Sequence, residues 1–231
     1  MKNIAIIPAR CGSKGLANKN IKLINQKPLI AYSIEAAKQS NLFEEVMLST
    51  DSVEYAEIAK QYGANVPFLR SQETSGDTAG SWDVVAEVLD MYRERGSIFD
   101  TVCLLQPTSP LRGQSDIVKA YNLYKSKNAD SITSVCEMDH SPLWSMTLPE
   151  SLSLKDYREG QKNNSRRQDL DQYYRINGAI YIRDIKYELN NIQLINNCEY
   201  AYIMDRRNSI DIDTLEDFEL AEFWMSKVYN I

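Results

Sequence analysis

Three cations, Arg10, Lys14 and Lys19, fall within one short stretch that also holds Gly12 and Gly15. Glycine lets a ligand approach the backbone closely, and backbone N–H groups in such loops surround phosphate oxygens. The cations supply the charge that a triphosphate needs. No GxxxxGK[ST] or GxGxxG pattern is present, so the stretch is neither a Walker loop nor a dinucleotide fingerprint. A solvated basic turn after a core strand is the plainer alternative. Far downstream, residues 209–213 read SIDID. In an extended chain Asp211 and Asp213 point together while Ile210 and Ile212 point into the fold. Two adjacent carboxylates suit Mg2+, which takes one or two carboxylates together with phosphate oxygens and water. The same residues also make a good helix start, since Asp213 precedes Thr214, Leu215, Glu216 and Asp217.

Two further stretches carry polar groups at the ends of apolar runs. In LLQPTSPLR (104–112) a buried strand ends at Gln106, and two prolines stiffen a turn that displays Thr108, Ser109 and Arg112. A plain connection is the competing reading. In RINGAIY (175–181) Arg175 and Asn177 sit two apart, so an extended chain turns both to one side, where they can address one ligand.

These stretches are spaced by alternating strand and helix patterns. Apolar or β-branched runs predict strands at 4–7, 45–50, 101–106, 131–136, 178–182 and 199–204, and a short strand or extended segment at 66–69. Helical spacing predicts helices at 28–39, 52–62, 83–93, 117–127 and 215–228, the first opening at Pro28 and the second closing at Gly63. The order implies an α/β fold with a mainly parallel sheet covered by helices on both faces. Ligands of such sheets bind beyond the carboxyl ends of the strands, a rule that sets Arg10, Asp51 and Gln106 along one rim. From 137 to 174 the alternation breaks. Nearly forty irregular residues rich in Tyr, Trp and Pro predict a lid, a binding loop or an arm that packs on a partner.

The chain's 231 residues suit one domain with a sizeable core. A net charge of −6 argues against general nucleic-acid binding. No stretch has the apolar core of a signal peptide or the ~18–20 apolar residues of a membrane span. Cys11, Cys103, Cys136 and Cys198 form no CxxC pair and read as reduced thiols, so a cytoplasmic setting is expected.

Taken in order, IIPARCGSKGLANKN, LLQPTSPLR, RINGAIY and SIDIDTLEDF resemble the motifs of the acylneuraminate cytidylyltransferases, also called CMP-sialic acid synthetases. That family includes enzymes for the related bacterial nonulosonic acids, and the resemblance runs over residues 4–221. It implies a single nucleotidyltransferase-type domain over 1–231, a homodimer with 137–174 as its arm, and Mg2+ as cofactor with Mn2+ as a substitute. The reaction implied is CTP plus an α-keto sugar acid giving a CMP-sugar and pyrophosphate. Carried over by motif, Arg10, Lys14, Gly15 and Lys19 hold the triphosphate, with Lys19 foremost in the transition state. Asn20, Arg70 and Ser81 correspond to nucleoside contacts, and Gln106 and Thr108 to sugar-acid contacts. Arg167, Arg175 and Asn177 correspond to phosphate or sugar contacts. Asp211 and Asp213 hold the metal, and Asp211 is also placed to accept a proton. Ala17 stands where many relatives have Pro, which removes no chemical group. The lone histidine, His140, lies outside every motif and is not expected to be the base. A CMP-Kdo synthetase, a DxD glycosyltransferase consuming a nucleotide sugar, and a non-catalytic nucleotide-binding regulator are the rival readings.

Overall fold

The computed structural model describes residues 1–12, 15–155, 157, 170–185 and 198–229. The apolar run after Lys2 forms β1 (Asn3–Pro8). Both faces of this strand are buried: Ile4 and Ile6 pack on one side, Ala5 and Ile7 on the other. It therefore reads as a continuous apolar run with no polar alternation, as central strands of parallel sheets do. A single 3-10 turn, Lys19–Ile21, leads into a two-stranded hairpin of β2 (Leu23–Ile24) and β3 (Lys27–Pro28). Asn25 and Gln26 at its tip both have positive φ, the conformation that tight hairpins require.

Helix α1 (Leu29–Gln39) follows, with Pro28 as its N-cap at φ −62°. Strand β4 (Glu45–Ser49) then leads to α2 (Val53–Gln61), which Ser52 caps by accepting from the Tyr55 amide. Gly63 at φ 88° ends that helix. Of the two readings for 66–69, a short strand or an extended segment, the strand does not form. Only an isolated bridge joins Met47 to Asn65, and Pro67 has no amide to extend it. A short α3 (Gln72–Ser75) precedes α4 (Ser81–Glu94), β5 (Thr101–Leu104), α5 (Gln114–Lys127) and β6 (Ser131–Glu137). The chain closes with β7 (Tyr174–Asp184), β8 (Glu199–Ile203) and α6 (Leu215–Tyr229).

The six long strands form one sheet in the order β4-β1-β5-β7-β6-β8. Strand β7 is antiparallel to both its neighbours, while β1 is parallel to β4 and β5, and β6 to β8. The sheet is thus mostly parallel with one reversed strand. That reversal brings the start of β7 to the rim where the other strands end, so Arg175 and Asn177 join residues that follow β1, β4 and β5. Helices α1, α2 and α5 cover one face and α4 the other. Helix α6 packs on the β2–β3 hairpin and the start of α1 through Phe218, Ala221 and Met225.

Part of the irregular region lies within the described residues. It contains the 3-10 turn Pro142–Trp144, and its Leu143, Met146, Leu148 and Leu152 side chains are exposed. No helix among the described residues is long and apolar enough to cross a membrane.

Candidate active site

A cleft of about 460 Å3 opens at the carboxyl rim of the sheet. Loops after three parallel strands and the segment before α6 build it. The end of β1 supplies Arg10, and the 3-10 turn supplies Lys19 and Asn20, with Gly15 between them. The stretch after α2 contributes Arg70, α3 contributes Thr74, and the first residue of α4 is Ser81. Gln106 and Thr108 arrive from β5, and Asp211 and Asp213 close the wall. Lys14 and Arg167 lie outside the described residues.

Each wall is fixed by bonds that the fold dictates. The Asp51 carboxylate accepts from the Cys11 amide at 2.7 Å, anchoring the first turn of the basic loop to the end of β4. Arg10 donates to Asp77 at 2.7 Å across the cleft mouth. Arg70 donates to the Ser49 carbonyl at 2.8 Å and to its hydroxyl at 3.2 Å, so its guanidinium is held at the strand end. Burial holds Arg70 below its ordinary value, partly offset by Asp51 and Glu87, with a smaller lowering from Arg10. Two guanidiniums lining one cleft supply the charge that a polyanion needs.

The opposite wall is carried by the segment before α6. The Ile212 amide donates to the Thr108 carbonyl at 2.8 Å, tying this wall to the turn after β5. Lys19 is 8% exposed and donates to the Ile212 carbonyl at 2.5 Å and to Asp213 at 2.9 Å. A Cβ on Gly15 would stand 2.5 Å from the Asp213 carbonyl oxygen, so only glycine lets the basic loop lie against this segment. The helix start predicted here is also present. Asp217 accepts from the Asp213 and Thr214 amides and the Thr214 hydroxyl at 2.8–3.1 Å. Burial alone would raise the Asp217 carboxyl, but these bonds outweigh it and lower it.

Asp211 differs from its neighbour. Burial raises its carboxyl above the ordinary 3.8, with the Asp213 charge adding to the rise, while the Thr108 hydroxyl, Lys19 and Arg175 pull against it. Its Oδ1 is buried without a hydrogen-bond partner among the described residues, whereas the Asp213 side chain is 75% exposed. An orphaned carboxylate oxygen beside a second, accessible carboxylate is a donor set that fits a hard divalent cation completing its shell with phosphate and water.

Two expected ligand residues, Arg175 and Asn177, stand elsewhere. Arg175 donates to the Ser209 carbonyl at 3.4 Å and lines a second cavity, of about 810 Å3, on the far side of residues 209–210. Asn177 shares its side with Arg175, as the spacing implied, but is 1% exposed with its amide bonded to Ser134, Ser209, Met204 and the Ala179 amide. It supports the cleft from behind. Ser109 and Arg112 are not displayed by their turn: they are 0% and 1% exposed, and Arg112 bonds Ser33 beneath α1. The turn packs its polar side inward because Leu105, Pro107 and Pro110 are buried with it. Burial lowers the Arg112 guanidinium to about 10. His140 is exposed and lines neither cavity. Cys103 and Cys136 are buried free thiols, and Cys11 is an exposed one.

Sequence reasoning overlooked the cross-cleft partner Asp77, the anchor Glu87 and the close approach at Gly178. At φ 75°, Gly178 has no room for a Cβ, which would overlap the Gln106 side chain and meet Asp211 Oδ2 at 3.8 Å. The Asn177-Gly178 pair was the available signal, since such pairs mark positive φ.

Comparison with known proteins agrees with this geometry. The chain is 38% identical over 220 residues to N-acylneuraminate cytidylyltransferase of Escherichia coli O18:K1:H7, covering 95% of this chain and 51% of that protein. It thus spans about half the length of that relative. It is 37% identical over 229 residues to CMP-N,N'-diacetyllegionaminic acid synthase of Legionella pneumophila, covering 96% of this chain and 95% of the relative. Among solved structures, a CMP:2-keto-3-deoxy-manno-octonic acid synthetase complexed with CTP superposes with TM-score 0.74 at 17% identity, covering 99% of this chain and all of that one, a likeness of fold. The cytidylyltransferase family model matches residues 4–224, and the chain belongs to that family.

Proposed function

We propose that this enzyme joins CTP to a nonulosonic (sialic-type) acid, giving the CMP-sugar and pyrophosphate. The observation that carries the reading is the convergence of Arg10, Lys19 and Arg70 with the Asp211–Asp213 pair in one cleft. The sugar's anomeric hydroxyl attacks the α-phosphorus in line, and the bond to pyrophosphate breaks. Charge grows on the α-phosphoryl oxygens and on the leaving group. Arg10 and Lys19, held in advance by their bonds to the cleft walls, stabilise that charge more in the transition state than in the ground state. Asn20, Arg70 and Ser81 take the nucleoside side, and Gln106 and Thr108 face the sugar acid. Asp211 accepts the proton of the attacking hydroxyl. Asp211 and Asp213 would hold Mg2+ or Mn2+, which neutralises phosphate oxygens when bound.

The relatives near 37–38% identity favour a sialic-type acid over Kdo, whose synthetase is similar in fold alone. Arg10, Gly15 and Lys19 in a leading loop favour CTP over the nucleotide sugar of a glycosyltransferase. We place the enzyme in the cytoplasm as a homodimer, with the exposed Leu143, Met146 and Leu148 in the arm and Tyr174 and Ile176 at its return. Light scattering on the purified chain tests the dimer. Pyrophosphate release is then followed with CTP, Mg2+ and each of N-acetylneuraminate, di-N-acetyllegionaminate, pseudaminate and Kdo. Release with one nonulosonic acid supports the reading, and none with any acid sinks it.

A further inference from the structure

A bulge filled by one hydroxyl lies behind the cleft. Between the pairs Thr133–Tyr181 and Val135–Ile176, a single residue of β6, Ser134, faces four residues of β7. Its Oγ replaces the missing ladder, donating to Asn177 Oδ1 at 2.6 Å and accepting from the Ile180 amide at 2.8 Å. The Asn177 amide donates onward to Ser209 Oγ at 2.8 Å, and that hydroxyl donates to the Asp205 carbonyl at 2.8 Å. Ser134 and Ser209 are wholly buried. Ser209 stands two residues before Asp211. Gly178, bent to φ 75° inside the bulge, leaves open the space that the Gln106 side chain fills, with Asp211 Oδ2 close beside it.

We propose that Ser134 is a positioning residue for cytidylyl transfer, acting through Asn177 and Ser209 to hold Asp211 and Gln106 against Gly178. This rests on the function proposed above. The chain of bonds is buried and satisfied, so losing one hydroxyl strands its partners away from water and loosens what they hold. The nucleotide side of the cleft hangs from other elements. Arg10 follows β1, Arg70 follows α2 and Ser81 opens α4, so the bulge bears on Asp211 and the chemical step more than on these contacts to CTP.

The test compares Ser134→Ala, Ser209→Ala and the double variant with the wild type. One arm is steady-state pyrophosphate release, and the other is amide hydrogen exchange of the peptide covering 205–213. Each single variant is expected to lose about tenfold in kcat with KM for CTP within about twofold, because small misplacements at a reacting group are costly. The double variant is expected to lose little more, since both hydroxyls act in one chain. Exchange across 209–213 is expected to quicken. Unchanged kcat and exchange, losses that multiply, or a loss confined to KM would overturn the proposal. Should Ser134→Ala fail to fold, Ser209→Ala decides by the same readings. Should the wild type release no pyrophosphate, the reaction reading falls and exchange alone judges the positioning: faster exchange supports it, and wild-type exchange overturns it.

Discussion

Lys19 Nζ lies 2.9 Å from Asp213 Oδ1, joining two positions 194 residues apart. The pair is lopsided, for the Lys19 side chain is 10% exposed and that of Asp213 75%. A buried cation aimed at an accessible carboxylate is organised for a third, anionic group. Replacing Lys19 by Ala is expected to cost about 3 kcal/mol of transition-state stabilisation, roughly a hundredfold in kcat. Folding stability falls by only about 1 kcal/mol. Pyrophosphate release and urea unfolding of the same preparation separate the two effects, and a variant with wild-type kcat would refute the role.

Gly178→Ala combines a positive φ with a Cβ that collides with Gln106. The expected loss of stability is about 1–3 kcal/mol, together with a fall in kcat as Gln106 is displaced. Urea titration and initial rates measure both. Retained stability and rate would mean that the bulge relaxes without disturbing the cleft.

Glu87 on α4 accepts from the Ser71 amide at 2.8 Å and from the Thr74 hydroxyl, pinning the turn that follows Arg70. Glu87→Gln keeps the size and weakens both bonds. The expectation is a rise of about fivefold in KM for CTP with kcat within about twofold, the pattern of lost uniform binding. A fall in kcat with unchanged KM would place Glu87 in the chemical step instead.

Carboxylates on either side of Thr214 affect stability in opposite senses. Asp211 is raised by burial, so its contribution is full below the unfolded value near 3.8 and is lost as pH rises through the folded value. Asp217 is lowered, so its contribution is present above the unfolded value and is lost as pH falls through the folded one. Asp211→Asn should therefore melt higher than wild type at neutral pH without metal. It should also lack the part of the CTP-induced rise in Tm that a chelator removes from wild type. A lower melting temperature for the apo variant would contradict this account of Asp211.

Much of this was legible in the chain itself. The apolar runs at 4–7, 101–106 and 131–136 and the helical spacing at 28–39 and 117–127 each became the expected element, because burial on one or both faces writes a clear period. The strand reading of 66–69 did not hold, because pattern alone does not weigh the missing amide of Pro67. Of the residues that line the cleft, Arg10, Gly15, Lys19, Asp211 and Asp213 were found from charge, glycine and paired carboxylates, and Gln106 and Thr108 from the turn at a strand's end. Asn20, Arg70 and Ser81 came only from the family resemblance. Asp77, Glu87 and Ser134 were not found, because their partners lie on other elements and only the folded register brings them together. Arg112 misled for the same reason: a charged residue in a proline-rich turn reads as displayed until the packing around it is known.

The most direct test of the central claim is product analysis of CTP incubated with Mg2+ and one nonulosonic acid, by mass spectrometry and phosphate assay together. The account predicts a CMP-linked sugar acid and pyrophosphate in equal amounts, both lost in Lys19→Ala and Asp213→Ala. Release of orthophosphate, or consumption of CTP with no CMP-linked sugar, would contradict it.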